Sequence, residues 1–186
     1  MMVGFEMDAG ALSEDERAFV ATTRSALSAD VSGFVGRVGG RLLVGVSVVD
    51  RIPGRHPVTV LMIGVHYGDG QVLGGRLDHE DYALLGEARF EAGGPAGELG
   101  RAAGEWLADV LGRPVALYCW MRDGQAVACQ YRFADTGEVL LRSGTPRPGA
   151  PDIVVPIRGD VSGIPLPVGA VLSGERPAVT GVWREG

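Results

Sequence analysis

The chain contains no lysine and no asparagine among its 186 residues. Without lysine there is no Schiff-base or pyridoxal-phosphate lysine, no P-loop lysine and no lysine general base. Without asparagine there is no papain-type asparagine and no N-glycosylation acceptor. Cysteine is scarce. Cys119 and Cys129, with no CxxC, are too few for a disulfide scaffold or a cysteine-rich zinc site. The longest apolar run, around 58–65, is far short of bilayer length. The opening Met-Met-Val-Gly-Phe-Glu has no basic n-region, and the first arginine is Arg17, so no signal peptide is expected. These absences point to a soluble cytoplasmic protein, with no membrane partner and no cofactor.

All 17 basic residues are arginine, against 23 acids, for a net charge of −6. The acids are spread along the chain and no basic patch stands out, so nucleic acid is not expected as a partner. An acidic chain suits a basic partner protein. Hydrophobic residues make up 46% and charged residues 22%, enough for a buried core in one domain. Glycine is abundant at 30 residues, about twice the usual share. Missing lysine and asparagine, whose codons are AT-rich, fit a GC-rich genome of actinobacterial type.

Ser13-Glu14-Asp15-Glu16 is a capping box. Phe19, Thr23, Leu27, Val31, Phe34 and Val38 follow at spacings of three or four, predicting a helix over 14–28; the pattern runs on to 38, where Gly33 and Gly36 weaken it and Gly39-Gly40 ends it. Three strands follow at 41–49, 57–67 and 71–77, with turns at Pro53-Gly54 and Gly68-Asp69-Gly70. Their apolar runs are continuous, as in strands buried on both faces. Asp78 reads as the cap of a helix over 79–89, and 91–97 as a glycine-rich break. Leu99, Ala103, Trp106, Leu107, Val110 and Leu111 share one face of a second clear helix, stopped by Gly112 and Pro114.

A meander over 115–121, 125–133 and 138–141 follows, turning at Asp123-Gly124. An unbroken register from that turn puts Tyr118 and Trp120 on one face with Val127, Cys129, Tyr131 and Phe133. Leu117, Cys119, Gln130 and Arg132 fall on the other. Cys119 and Cys129 then point to opposite faces and cannot bond. From residue 144 the chain is proline-rich, with seven of the eleven prolines between Pro146 and Pro177, and reads as extended segments packed on the domain or a partner.

The expected fold class is therefore α+β. Mostly antiparallel strands form one or two sheets with helices on one side, in a possible α-βββ pseudo-repeat. Residues 1–143 form one domain and 144–186 an extended segment. Asp30-Val31-Ser32-Gly33 recurs as Asp160-Val161-Ser162-Gly163, a match short enough to arise by chance.

Few constellations carry chemistry. His66, His79 and Glu80, with Asp69, Asp78 and Asp81 nearby, match no metal-ligand spacing, so no metal is expected. His66 is the candidate acid or base, oriented by Asp69 or Asp81. The glycines around Gly68-Asp69-Gly70 and Gly74-Gly75 read as a hairpin rather than a phosphate loop. Gly33, Gly36, Gly39 and Gly40 read as linker glycines. No GxSxG surrounds any serine, and the cysteines read as inert buried thiols. Tyr118, Trp120, Tyr131 and Phe133 form either core against the Trp106 helix or the wall of an apolar ligand cavity. Trp183 is a candidate interface anchor, or else pins the tail to its own domain.

Two readings of function follow. The first is a non-catalytic binding or accessory protein, immunity-like or chaperone-like, that engages a protein partner through its acidic surface, its tail or both; the tail and edge strands also offer pairing surfaces for a possible homodimer. The alternative is a small cofactor-free isomerase, cyclase or hydrolase. It would hold a small apolar ligand in an aromatic pocket, with His66 or a nearby carboxylate as acid or base.

Overall fold

The computed structural model describes residues 6–7, 11–29, 31–51, 56–177 and 183–185; the turn at Pro53-Gly54 and Asp30 of the tetrapeptide match lie outside them. The fold is α+β with mostly antiparallel sheets. The chain divides into two compact units between Leu111 and Gly112. The boundary expected at 143 falls inside the second unit.

The first unit holds β1 (Glu6–Met7), α1 (Glu14–Ser25), β2 (Gly33–Val38), β3 (Arg41–Asp50), β4 (Val58–Gly68), β5 (Gln71–Arg76) and β6 (Phe90–Gly93). It also holds α2 (Ala96–Gly112) save its last residue. The six strands pair in chain order. The capping box closes as expected. The Glu16 amide donates to Ser13 Oγ at 3.2 Å, and the Ser13 amide donates to Glu16 Oε2 at 2.8 Å.

Three expectations are corrected here. The first helix stops at Ser25, and 33–38 is a strand paired with β3 along its whole length. Gly33 and Gly36 weaken a helix, while pairing satisfies every backbone group in the same stretch. Gly39 and Gly40, at φ 57° and 81°, form the two-residue turn of that hairpin rather than a helix stop. The second correction is 79–89, which is an irregular loop. Asp78 does accept the Glu80 amide at 2.7 Å, as a cap would. Tyr82 then takes φ 58°, which a helix cannot continue through. The loop closes on itself through a bridge between Leu77 and Leu84. The third is 91–97, whose first part belongs to β6, paired with β5.

Both helices lie on one face of the first sheet. Phe19 of α1 stacks on Tyr67 at 4.4 Å, and Trp106 of α2 stacks on Phe90 at 5.4 Å. Tyr67, Val65, Val72, Gly74 and Phe90 share that face through their pairings. The opposite face is covered by the 77–89 loop and by Phe34. Gly45, Gly64 and Gly75 stand side by side across β3, β4 and β5. A Cβ at Gly64 would lie 2.7 Å from Leu77 Cδ1, one at Gly75 would lie 3.2 Å from Leu84 Cδ2, and one at Gly45 would strike the Phe34 ring. The glycine row is thus a trough filled by three apolar side chains. This explains the continuous apolar runs: Leu42 to Val46 is buried at every position because both faces of the sheet are covered.

The second unit is a six-stranded sheet in the order β11-β10-β7-β8-β9-β12. The strands are β7 (Val115–Arg122), β8 (Gln125–Phe133), β9 (Val139–Ser143), β10 (Ile153–Arg158), β11 (Val171–Leu172) and β12 (Trp183–Glu185). The proline-rich tail therefore supplies three strands, including both edges. The possible α-βββ pseudo-repeat does not divide the chain as expected: both helices fall in the first unit, α2 save its last residue, and the second unit is built of strands.

The meander register is corrected by one residue. Arg122 pairs with Gln125 and Met121 with Ala126 as expected; a bulge then shifts Trp120 onto Ala128, Cys119 onto Cys129 and Tyr118 onto Gln130. One extra residue moves every later side chain of β8 to the other face. The four rings do not form one wall.

Candidate functional site

His66 sits on β4 among the apolar side chains of the loop-covered face and is 7% exposed. Its Nε2 lies 3.1 Å from the Tyr82 carbonyl oxygen. A carbonyl only accepts, so Nε2 carries a proton and donates, which leaves Nδ1 as the lone-pair nitrogen whenever the ring is neutral. Burial pushes the ring's pKa below the usual imidazole value; the Tyr82 carbonyl opposes this and the Arg41 charge adds to it. Asp69 is exposed in the β4–β5 turn with φ 56°, and the contact His66 makes is to Tyr82. Asp81 accepts the Ala83 amide at 2.9 Å. The acid/base pair expected from the sequence is not assembled. What His66 does is pin the strained Tyr82 loop to the sheet. Among the described residues no group of His, Cys, Asp and Glu could hold a metal ion.

The aromatic residues divide by face. Tyr118 and Trp120 pack in a cluster with Ala116, Ala128 and Val154, covered by Val161, Ile164 and Ala170 of the 159–170 segment. Tyr131 stands on the opposite face, where it meets the Trp183 ring at 4.9 Å. Phe133 shares that face and lies under the Arg113 guanidinium at 3.7 Å. Trp106 belongs to the first unit, where it stacks on Phe90. Trp183 pins β12 to its own sheet, the second of its two expected readings.

The shifted register also brings together residues that the sequence had separated. Arg132 joins Tyr118 and Trp120, its guanidinium 5.1 Å and 5.6 Å from the two ring centroids. Its Nε and Nη2 both donate to Gln130 Oε1. Burial lowers the Arg132 pKa and raises that of Tyr118, and their mutual attraction opposes both shifts. Gln130 pairs with Arg142, and Arg142 pairs with Arg184, so all share one face. Arg142 and Arg184 are exposed. No stretch of sequence signals this cluster, because its arginines come singly from β8, β9 and β12, and the unbulged register had set Arg132 apart from Tyr118 and Trp120.

At the other edge of the sheet, Leu166, Val168, Val171 and Leu172 are four of the seven exposed large hydrophobics among the described residues. Val168 is 95% exposed. The Val171 and Ser173 amides donate inward to Asp152 and Val154 carbonyls at 2.9 Å each. Alternation then turns the N–H and C=O of Leu172 toward the free edge.

Against protein-family models, curated proteins and solved structures, the chain matches none. No helix among the described residues is long and apolar enough to cross a membrane.

Proposed function

We propose that the chain is a non-catalytic binding protein, of the immunity or chaperone-accessory kind. It docks an extended segment of a partner protein beside β11. The observation that carries this reading is the concentration of exposed apolar side chains at 166–172, next to a strand edge with an unpaired backbone donor and acceptor. Exposed apolar clusters and open strand edges are both liabilities in a free protein and both serve when a partner strand covers them. Two facing thiols that stay free suit the cytoplasm.

The enzyme reading has less support. His66 is buried and tied to a backbone carbonyl, with Asp69 out in a turn.

Native mass spectrometry of gently isolated protein tests the proposal. The wild type should retain a second protein, or a second copy through the same edge. Val168→Asp with Leu172→Asp should lose it while melting at the same temperature. Wild type and variant that both run as bare monomers would overturn the reading.

A further inference from the structure

We infer that the β8–β9–β12 face is a second docking surface, specific for an acidic segment of a partner protein. Arg132, Arg142 and Arg184 lie on this face around Gln130, in two adjacent cross-strand rows. None of the described strand residues that share it carries a carboxylate. Other arginines of the chain pair with acids, among them Arg37 with Glu16 at 2.8 Å, Arg113 with Asp135 at 2.8 Å, and Arg147 with Asp152 at 2.7 Å. Here three positive charges stand together in a chain whose net charge is −6. Like charges on neighbouring strands repel, so the arrangement is stabilised when an anion bridges them.

Arg132 is the anchor. Two of its five N–H groups go to Gln130, and the Tyr118 and Trp120 rings flank the guanidinium. Three N–H groups remain for an oxyanion in a geometry already fixed by the rings. Arg142 and Arg184 are exposed, within reach of neighbouring carboxylates on the same ligand. The spacing is that of a sheet. An extended segment with acids at alternate positions presents a row of carboxylates to a row of arginines.

A nucleic acid is the less suitable occupant. Tyr118 and Trp120 are buried at 7% and 3% exposure and offer no face for base stacking. The surrounding negative charge also repels a long polyanion. A short acidic peptide avoids most of that repulsion within a Debye length. This inference does not depend on the β11 edge, which lies at the far side of the same sheet.

Fluorescence polarisation with a short fluorescein-labelled peptide of alternating Glu and Val tests it, beside single-stranded DNA of matched charge. The full chain should bind the peptide saturably, and more weakly as salt rises. Arg142→Glu with Arg184→Glu should weaken binding at least about tenfold with no change in melting temperature. Arg132→Gln should weaken it too. Arg51→Glu with Arg101→Glu makes the same change in net charge on exposed residues of the first unit, and should bind almost as the wild type does. Val168→Asp with Leu172→Asp should also leave binding intact, which separates this surface from the apolar edge. No saturable binding, equal loss in both arginine pairs, or preference for the DNA would each overturn the inference.

Discussion

Cys119 and Cys129 face each other directly across the β7–β8 ladder, both fully buried and both free. The bulge after Trp120 creates this pairing; the unbroken register would have sent the two thiols to opposite faces. Their mutual hydrogen bond, and then burial, raise the Cys119 pKa far above the ordinary thiol value.

The first prediction concerns these thiols. A thiolate is the reactive form, and neither thiol reaches solvent. A maleimide or disulfide reagent at mildly alkaline pH should label the native protein at least about a thousandfold more slowly than free cysteine. Both thiols should react at once in denaturant. Labelling at the free-thiol rate in the native state would show the pair to be open. Cross-strand neighbours lie within disulfide reach, so a bond formed under strong oxidant is compatible with this register and incompatible with the unbulged one.

His66 supplies a pH-dependent term. Its folded pKa is depressed below 6.5 by burial. The unfolded chain therefore takes up the proton first as pH falls. The stabilisation is fully present above about 6.5 and is lost as pH drops through that value toward the folded pKa. His66→Gln keeps a donor for Tyr82 and removes the titration. Urea midpoints at about pH 8 and about pH 5 should show the wild type losing more stability than the variant. His66→Ala should cost about 2–3 kcal/mol at either pH, from lost packing and an orphaned carbonyl.

Gly104 tests the contact between the helices. Propensity alone favours Gly104→Ala by about 1 kcal/mol. A Cβ there would lie 2.6 Å from the Thr23 carbonyl oxygen and 2.7 Å from Ala26 Cβ. The steric term should win, destabilising the protein by about 1–3 kcal/mol. Gly97→Ala in the same helix meets nothing within 4 Å and should be neutral or stabilising. Thermal melts of the two variants should move in opposite directions, or at least differ by that amount.

Arg113 forms a clamp on the second sheet. Its Nε and Nη2 donate to Asp135 at 2.9 Å and 2.8 Å, and its guanidinium covers Phe133. The Arg113 hydrogen bond holds the Asp135 pKa below the usual carboxylate value. Arg113→Lys loses the two-pronged geometry and the flat contact with the ring. The pair is partly solvated, so the cost should be about 1 kcal/mol. The ionic share of that difference is present above the unfolded carboxylate pKa and disappears as pH falls through the lower folded value. Acid titrations of wild type and variant should converge there.

Much of the local structure was legible. The capping box at Ser13, the hairpin at Asp69-Gly70, the stripe of α2 and the stop at Gly112 all depend on neighbours in sequence. The candidate site was less so. His66 was read near the end of an apolar strand, and it lies near the end of β4; its burial came only from the loop above it. Its partner proved to be a backbone carbonyl reached only through the Tyr82 loop. The arginine cluster was missed because one bulged residue in β8 reversed the faces of everything beyond it.

By itself the sequence determined the class: an acidic α+β chain without lysine, with long β-branched runs and two periodic segments. Periodicity and turn residues act over a few positions, so they can be read along the chain. Tertiary structure decided the rest. It turned 33–38 from helix to strand, because pairing with β3 satisfies a backbone that its glycines leave free to choose. It left 79–89 irregular, because Leu77 and Leu84 settle, beside Phe34, over a trough of glycines on three separate strands. It set Cys119 opposite Cys129, and Arg132 beside Arg142 and Arg184, because pairing register is a relation between strands that no single stretch of sequence contains.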